Sequence, residues 1–419
     1  GNNNLSFQLY KYYVDWASQH GIEYMTLDAG WSESYIRTLC LYAKQKNVKI
    51  IVWTWASCVR ENPEDWIKKM KDYGVSGAKI DFFERNDQIA MRWGRDFAQR
   101  LANHQMVALF HGCPVPAGIN RTFPNILNFE AVRGAECNFW EKTLTPEYHT
   151  QFPFIRSLVG PEDYTPGSMR NVTQEEFQPI DKDDTPPMSM GTRAHELSMY
   201  VIYDQWIGYL CDSPTEYNKY PDILSFLSTV PVVWDKTVPL DAKLGDYILV
   251  AKQKGKDWYV GGMTDWTART LEVDFGFLEA GVSYLADIFK DTSASGEQPK
   301  QYVCERMEIT KDTKLSIPMA KGGGFAIRLL HASGSGITEV KQENPLIVYV
   351  EKETDTLHIK TEKRIEAVRI NDITGQTLFA RKYNDDVYSE RINLSDFNKG
   401  IYVVSVKTAP ALASTTFIY

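Results

Sequence analysis

The sequence contains no run of about 18 apolar residues, so nothing in it reads as a membrane-spanning helix. Glycine-rich phosphate loops, HExxH and GxSxG are all absent, which leaves no motif for nucleotide-dependent transfer, zinc proteolysis or a serine nucleophile elbow. Basic patches are missing too. With 46 Lys and Arg against 54 Asp and Glu, the net charge of −8 argues against nucleic acid or an anionic membrane surface as a partner. The six cysteines (Cys40, Cys58, Cys113, Cys137, Cys211 and Cys304) show neither CxxC pairing nor zinc spacing, and read as single buried thiols. Aromatic side chains, by contrast, are plentiful: 11 Trp and 23 Tyr. At strand ends such rings suit stacking on the C–H faces of sugars; elsewhere they are core.

The first half of the chain is a train of similar units. Residues 5–19 have helical spacing, and Ile22 to Leu27 reads as a strand ending at Asp28-Ala29-Gly30-Trp31. A helix over 34–45 follows, then a strand from Val48 ending in Trp53-Thr54-Trp55, and Asn62-Pro63-Glu64 opens the next helix. The run Gly77-Ala-Lys-Ile-Asp81-Phe-Phe83 is a short apolar strand that delivers a carboxylate to its carboxyl end. Helix 86–103, a strand ending at His111-Gly112 and a strand ending at Glu130 continue the series, with further strands expected at Phe154–Val159 and Ile207–Leu210. Strands alternating with helices predict an α/β fold of the (β/α)8 TIM-barrel type over residues 1–234, with its chemistry at the carboxyl ends of the strands. Only seven strands can be counted where a closed barrel needs eight. The expectation is therefore that the first strand, and an N-terminal domain before it, lie upstream of residue 1.

After Pro231 the periodicity shortens. Strands at 247–251, 258–263, 270–275, 282–287, 314–317 and 325–330 predict an antiparallel β-sandwich over 235–331. Ala332 to Gly336 reads as a linker. Strands at 346–351, 356–361, 365–371, 376–380 and 403–406, with a turn at Asp372-Ile373-Thr374-Gly375, predict a second small β-sandwich over 338–419.

Chemistry has to come from carboxylates at the strand ends. The candidates are Asp28, Asp81, Glu84, Glu130, Glu136, Asp163 and Asp212, with Lys79, His111, Arg133 and His149 nearby in sequence. A strand-end Asp is more often a helix cap than a catalyst, and Glu130 with Arg133 has the spacing of an ordinary ion pair. An acid-rich, aromatic-rich mouth without a nucleotide motif nonetheless favours glycoside hydrolysis, in which one carboxylate attacks or activates water and another protonates the leaving oxygen. Lys79, two positions back on the same strand face, puts a positive charge beside the carboxylate of Asp81. Phe139 and Trp140 are placed to desolvate Glu136 and so help it to hold a proton.

The runs Asn125-Ile-Leu-Asn-Phe-Glu130-Ala-Val-Arg133-Gly134-Ala-Glu136, Gly160-Pro-Glu-Asp163-Tyr-Thr-Pro-Gly167, Gly77-Ala-Lys-Ile-Asp81-Phe82 and Arg193-Ala-His-Glu-Leu197 together resemble glycoside hydrolase family 97 over residues 5–331. The resemblance implies a calcium-dependent enzyme acting on an α-linked oligosaccharide. Inverting members place a Glu directly after the His of the fifth strand and lack the Asp of the fourth; this chain has Gly112 after His111 and keeps Asp81. By resemblance Asp81 is the nucleophile of a retaining enzyme, Glu136 its general acid/base, and Glu130 a calcium ligand, with other ligands from the N-terminal domain. Asp28, Trp31, Lys79, His111, Arg133 and Asp163 are the expected substrate contacts. Retaining members are α-galactosidases, so that substrate is expected; an α-glucosidase of either stereochemistry is the alternative, and a catalytically inactive carbohydrate-binding protein the alternative of another class. Val368 to Gly375 and Leu394 to Val403 resemble the C-terminal sorting domains of secreted Bacteroidetes proteins, which implies a periplasmic, secreted or surface location.

Overall fold

The computed structural model describes residues 5–180, 187–331, 347–351, 354–361, 363–372, 376–398, 400–408 and 412–418. Residues 1–332 gather into one compact unit and residues 333–419 into a second.

The first unit begins with a parallel sheet of five strands in sequential order: β1 (Tyr24–Leu27), β2 (Lys49–Trp55), β3 (Gly77–Asp81), β4 (Val107–Phe110) and β5 (Ile126–Phe129). Their interiors are continuously apolar, Ile50 to Trp53 in β2 all being buried, as a sheet covered on both faces requires. Register keeps the carboxyl ends together: Trp55 pairs with Asp81 and Ile80 with Phe110. Helices α1 (Phe7–Gln19), α2 (Glu33–Gln45), α3 (Pro63–Tyr73) and α4 (Gln88–Asn103) precede or separate the strands. Local chemistry sets their limits. The Asp87 carboxylate accepts the N–H groups of Ile89 and Ala90 at the start of α4, and Pro63 opens α3, which Gly74 closes in the left-handed region at φ 92°.

Two expected strands did not form. Phe154–Val159 is the end of a helix, Pro146–Ile155, followed by a 3-10 turn over Ser157–Val159. The overlooked signal was a helix start: the Thr145 hydroxyl accepts the Tyr148 N–H and Pro146 occupies the first turn. Beyond β5 the sheet continues only as a single parallel bridge between Phe129 and Glu162. Residues 207–210 make no ladder; the Asn128 side chain donates to the Ile207 carbonyl instead, at 2.7 Å. The main parallel sheet therefore has five strands among the described residues where seven were expected, and Asn171–Val172 pairs in parallel with Ser189–Met190 as a separate two-stranded sheet. The outer edge of β1 borders a cavity of about 740 Å³ that residues 206–210 also line.

An antiparallel sheet of six strands follows, in the order 303–309, 284–290, 324–331, 257–264, 247–254 and 236–243, with a two-stranded sheet of 269–274 and 314–319. The outermost strands, 236–243 and 303–309, were not anticipated; their residues are largely exposed, which hides the alternation that marks a strand. The wholly buried helix Arg193–Ile202 packs on this sheet. Glycines let it approach: a Cβ at Gly261 would lie 2.9 Å from Ile202 Cγ1, and one at Gly324 2.8 Å from His195 Cα.

The second unit has sheets of three strands (347–351, 356–360, 389–393) and four strands (377–382, 365–372, 401–408, 412–418) around Leu357, Ile359, Val368, Ile370 and Val404. Strands 389–393 and 412–418 were missed. The expected linker and most of the Asp372-Ile373-Thr374-Gly375 turn fall outside the described residues.

All six cysteines are free thiols, but the expectation that they are buried holds only for Cys40. Cys58, Cys211 and Cys304 are exposed and Cys113 and Cys137 half-buried.

Candidate active site

Beyond the carboxyl ends of the parallel strands, Lys79, His111, Glu130, Glu136, Asp163 and Asp212 line a cleft of about 240 Å³. Each arrives by a different route. Lys79 is in β3, His111 directly follows β4, and Glu130 follows β5. Asp163 is fixed by its own N–H bond to the Phe129 carbonyl at 3.2 Å. Glu136 sits on a 3-10 turn, Ala135–Phe139, whose first N–H donates to the Tyr164 carbonyl at 2.7 Å.

The charges are interlocked. The Lys79 ammonium meets Asp28 Oδ2 at 2.6 Å; burial works against its charge, but Asp28 and Asp163 hold its pKa above the ordinary value. His111 Nε2 donates to the buried Asp163 carboxylate at 2.6 Å, and its Nδ1 is 3.6 Å from Glu130. Burial disfavours the imidazolium, yet these two carboxylates carry its pKa up to about 9. Burial also opposes charge on Glu130, but His111 and the Gly112 N–H, which donates to Oε2 at 2.7 Å, take it below the ordinary value. Glu136 goes the other way. Its burial, and then repulsion from Glu130, raise its pKa against the pull of Lys79 and His111. Environments that drive neighbouring carboxyls apart in this way are how acid and base roles are divided within one site.

Asp81 ends β3 beside this cleft rather than in its lining. Trp53 Nε1 donates to Oδ2 at 2.9 Å and the Phe82 N–H to Oδ1 at 2.7 Å, so both carboxylate oxygens are oriented by neutral donors. The backbone then turns sharply, with Phe82 at φ 58° and Glu84 at φ 55°. A bulky residue held in the left-handed region is strained, and such strain concentrates at functional sites. Gly112, at φ 46°, is pressed on the same carboxylate: a Cβ there would lie 2.9 Å from the Phe82 nitrogen and 3.0 Å from Asp81 Oδ1.

The remaining expected contacts are placed differently. Asp28 reaches the cleft through its ion pair with Lys79. Trp31 turns inward, its indole donating to the Trp53 carbonyl at 2.8 Å. Arg133 is exposed and pairs with Glu141 and Thr143 rather than with Glu130. Asp212 is engaged by the Arg170 guanidinium at 2.8 Å and the Met169 N–H at 2.7 Å.

Several supports were not anticipated from sequence. The Arg156 guanidinium donates to the carbonyls of Phe129, Ala131, Gly160 and Pro161, clamping β5 to the Asp163 loop. The buried Glu196 carboxylate accepts the N–H groups of Gly167 and Ser168. His149, expected only as a nearby base, joins the Tyr164 hydroxyl (2.6 Å) to His195 (3.1 Å), which reaches the Gly323 carbonyl (3.0 Å). The signal for these lay in the Gly160–Gly167 and Arg193–Leu197 runs, whose polar residues are buried.

A calcium ion needs six to eight oxygen donors. Glu130 can offer one carboxylate, but no three His, Cys, Asp or Glu side chains are grouped to hold a metal among the described residues. Glu130 would hold the ion with further oxygen donors that are not side-chain carboxylates grouped around it, and no chemical step is routed through the ion.

A parallel α/β sheet with carboxylates gathered beyond its strand ends, followed by an antiparallel sheet, is an architecture suited to acid–base chemistry. Family comparison narrows this: residues 1–132 match glycoside hydrolase 97, residues 233–330 the glycosyl-hydrolase 97 C-terminal, oligomerisation domain, and residues 353–418 a secretion system C-terminal sorting domain. The chain belongs to glycoside hydrolase family 97, and its C-terminal unit is a sorting domain that marks it for export. A protein of Bacteroides thetaiotaomicron named retaining alpha-galactosidase is 40% identical over 334 residues, covering 76% of this chain and 50% of its own length. A relative from Streptomyces bingchenggensis is 30% identical over 343 residues, 78% of this chain and 50% of its own. The chain thus spans about half the length of the curated relatives it matches. Among solved structures, a family 97 enzyme from Pseudoalteromonas sp. strain K8 in complex with panose is similar with TM-score 0.71 and 25% identity, over 78% of this chain and 56% of that one. The same organism's enzyme with acarbose gives TM-score 0.70 at 26% identity, over the same shares.

Proposed function

We propose that this chain carries the catalytic centre of a retaining, exo-acting α-glycoside hydrolase, with α-galactosides as substrates. Asp81 attacks the anomeric carbon while Glu136 gives its proton to the departing glycosidic oxygen. A water then loses its proton to the Glu136 carboxylate and displaces Asp81, so two inversions leave the configuration unchanged. The observation that carries this reading is Gly112 against Asp81. The position after His111 has no room for a base, whereas Asp81 is oriented by two N–H donors. The raised pKa of Glu136 fits the proton-holding partner. Asp28, Lys79, His111 and Asp163 are assigned to the sugar hydroxyls, and the relative named retaining alpha-galactosidase supports the choice of sugar.

An α-glucosidase is the second reading, favoured by the neighbours solved with panose and acarbose. Calcium dependence is kept as a proposal resting on Glu130 alone. Initial rates on p-nitrophenyl α-galactoside and α-glucoside, with and without chelator, test all three points. Turnover of the galactoside, lost on chelation, is expected. Turnover of the glucoside alone contradicts the substrate, and indifference to chelator removes the metal.

A further inference from the structure

Phe139 and Trp140 present more surface than shielding Glu136 uses. Their place beside it fits the expected desolvation, yet they remain 41% and 61% exposed. Their rings stack on each other, centroids 6.2 Å apart and planes inclined by 26°. Burial and then Glu130 raise the pKa of Glu136, and the outward area of the two rings is left for another use. Phe139 lines the same cleft as Glu136. Both rings follow Glu136 on one short turn, closed by the Trp140 N–H donating to the Cys137 carbonyl at 3.1 Å. That turn is braced on either side. Ala135 is bonded to Tyr164, and Arg133, whose carbonyl accepts the Tyr148 hydroxyl at 3.0 Å, pairs with Glu141 just beyond the rings. A pair of large apolar rings held rigidly in solvent is a preorganised surface.

Stereochemistry says which part of a substrate would meet it. In a double displacement the nucleophile approaches one face of the sugar and the acid stands by the leaving oxygen, so the leaving group lies on the side of Glu136. We propose that Phe139 and Trp140 form the leaving-group subsite, a platform that stacks on the apolar C–H face of the second sugar of an α-linked oligosaccharide. This rests on the reading of Glu136 as the acid. It also gives Arg133 a use as a positioning residue for the platform.

A glycosyl fluoride has no second ring, which makes it the control. In Trp140→Ala, kcat/KM for an α-galactosyl disaccharide should fall roughly 2- to 12-fold further than for α-galactosyl fluoride, the factor a lost aromatic stack implies. Trp140→Phe, which keeps a ring, should recover most of the loss. Equal losses on both substrates overturn the proposal. Calorimetric titration in an Asp81→Asn background, where turnover is blocked, gives the same comparison without catalysis: weaker disaccharide binding in Trp140→Ala with galactose binding kept. Disaccharide binding that is absent from the full chain, or indifferent to Trp140, overturns it as well. Trp140-dependent binding by a wild-type chain that hydrolyses neither substrate would instead sink the proposed hydrolysis and leave a sugar-stacking platform standing.

Discussion

Asp81 and Glu136 are both carboxyls, and what separates them is their surroundings. Asp81 is held by Trp53 and its own backbone turn, which aim both of its oxygens. Asp81→Ala should therefore lose at least about 10³-fold in kcat, with azide restoring part of the turnover from the vacated face as an inverted glycosyl azide. Near-wild-type rates in that variant would remove Asp81 from the mechanism. Glu136 must carry its proton to act, and its raised pKa extends that state to higher pH. Activity should fall as pH rises through this pKa. Glu136→Gln should flatten that alkaline limb while sparing substrates with good leaving groups, and a pH–rate profile on activated and unactivated substrates checks both. The sequence pointed to these two residues because each lies in a short run that resembles the family's. It missed Trp53 as the partner of Asp81, since pairing across neighbouring strands depends on register.

The loop from Gly160 to Arg170 shows the same limit among the elements. Its motif was legible, but the groups that hold it come from other parts of the chain: Arg156 from a segment expected to be a strand, and Glu196 from the helix Arg193–Ile202. Burial raises the Glu196 pKa from 4.5 to about 7. A carboxyl with a raised folded pKa stabilises most below its unfolded value, and that contribution is lost as pH rises through the folded one. Wild-type stability should therefore decline relative to Glu196→Gln between about pH 4.5 and 7, the amide keeping an acceptor for Gly167 and Ser168 without a charge to bury. Thermal unfolding of both proteins at pH 5 and pH 8 reads this directly. A wild-type protein that instead gains stability relative to Glu196→Gln from pH 5 to pH 8 would contradict it. The helices at Asp87 and Pro63 were readable because a cap and a proline announce them, although the same signals at Thr145 and Pro146 went unread; strands that lean on a single bridge, such as that at Glu162, announce nothing.

At the scale of the whole molecule the chain divides at one place, between residues 332 and 333. The sorting unit has its own core, so deleting residues 333–419 should leave the melting temperature and hydrolytic rate of the first unit unchanged. The same deletion should abolish appearance of the protein outside the cell in a host with the matching secretion system, as activity assays of cells and medium would show. The shift from helical to strand periodicity near Pro231 foretold the change of architecture, while the number of parallel strands did not follow from it, because closure of a sheet is not a local property. The central claim is retention by Asp81 and Glu136, and the anomer released first decides it. Proton NMR of the full chain hydrolysing an α-galactoside should show the α-anomer of galactose appearing before mutarotation supplies the β-anomer; the β-anomer appearing first would contradict the account.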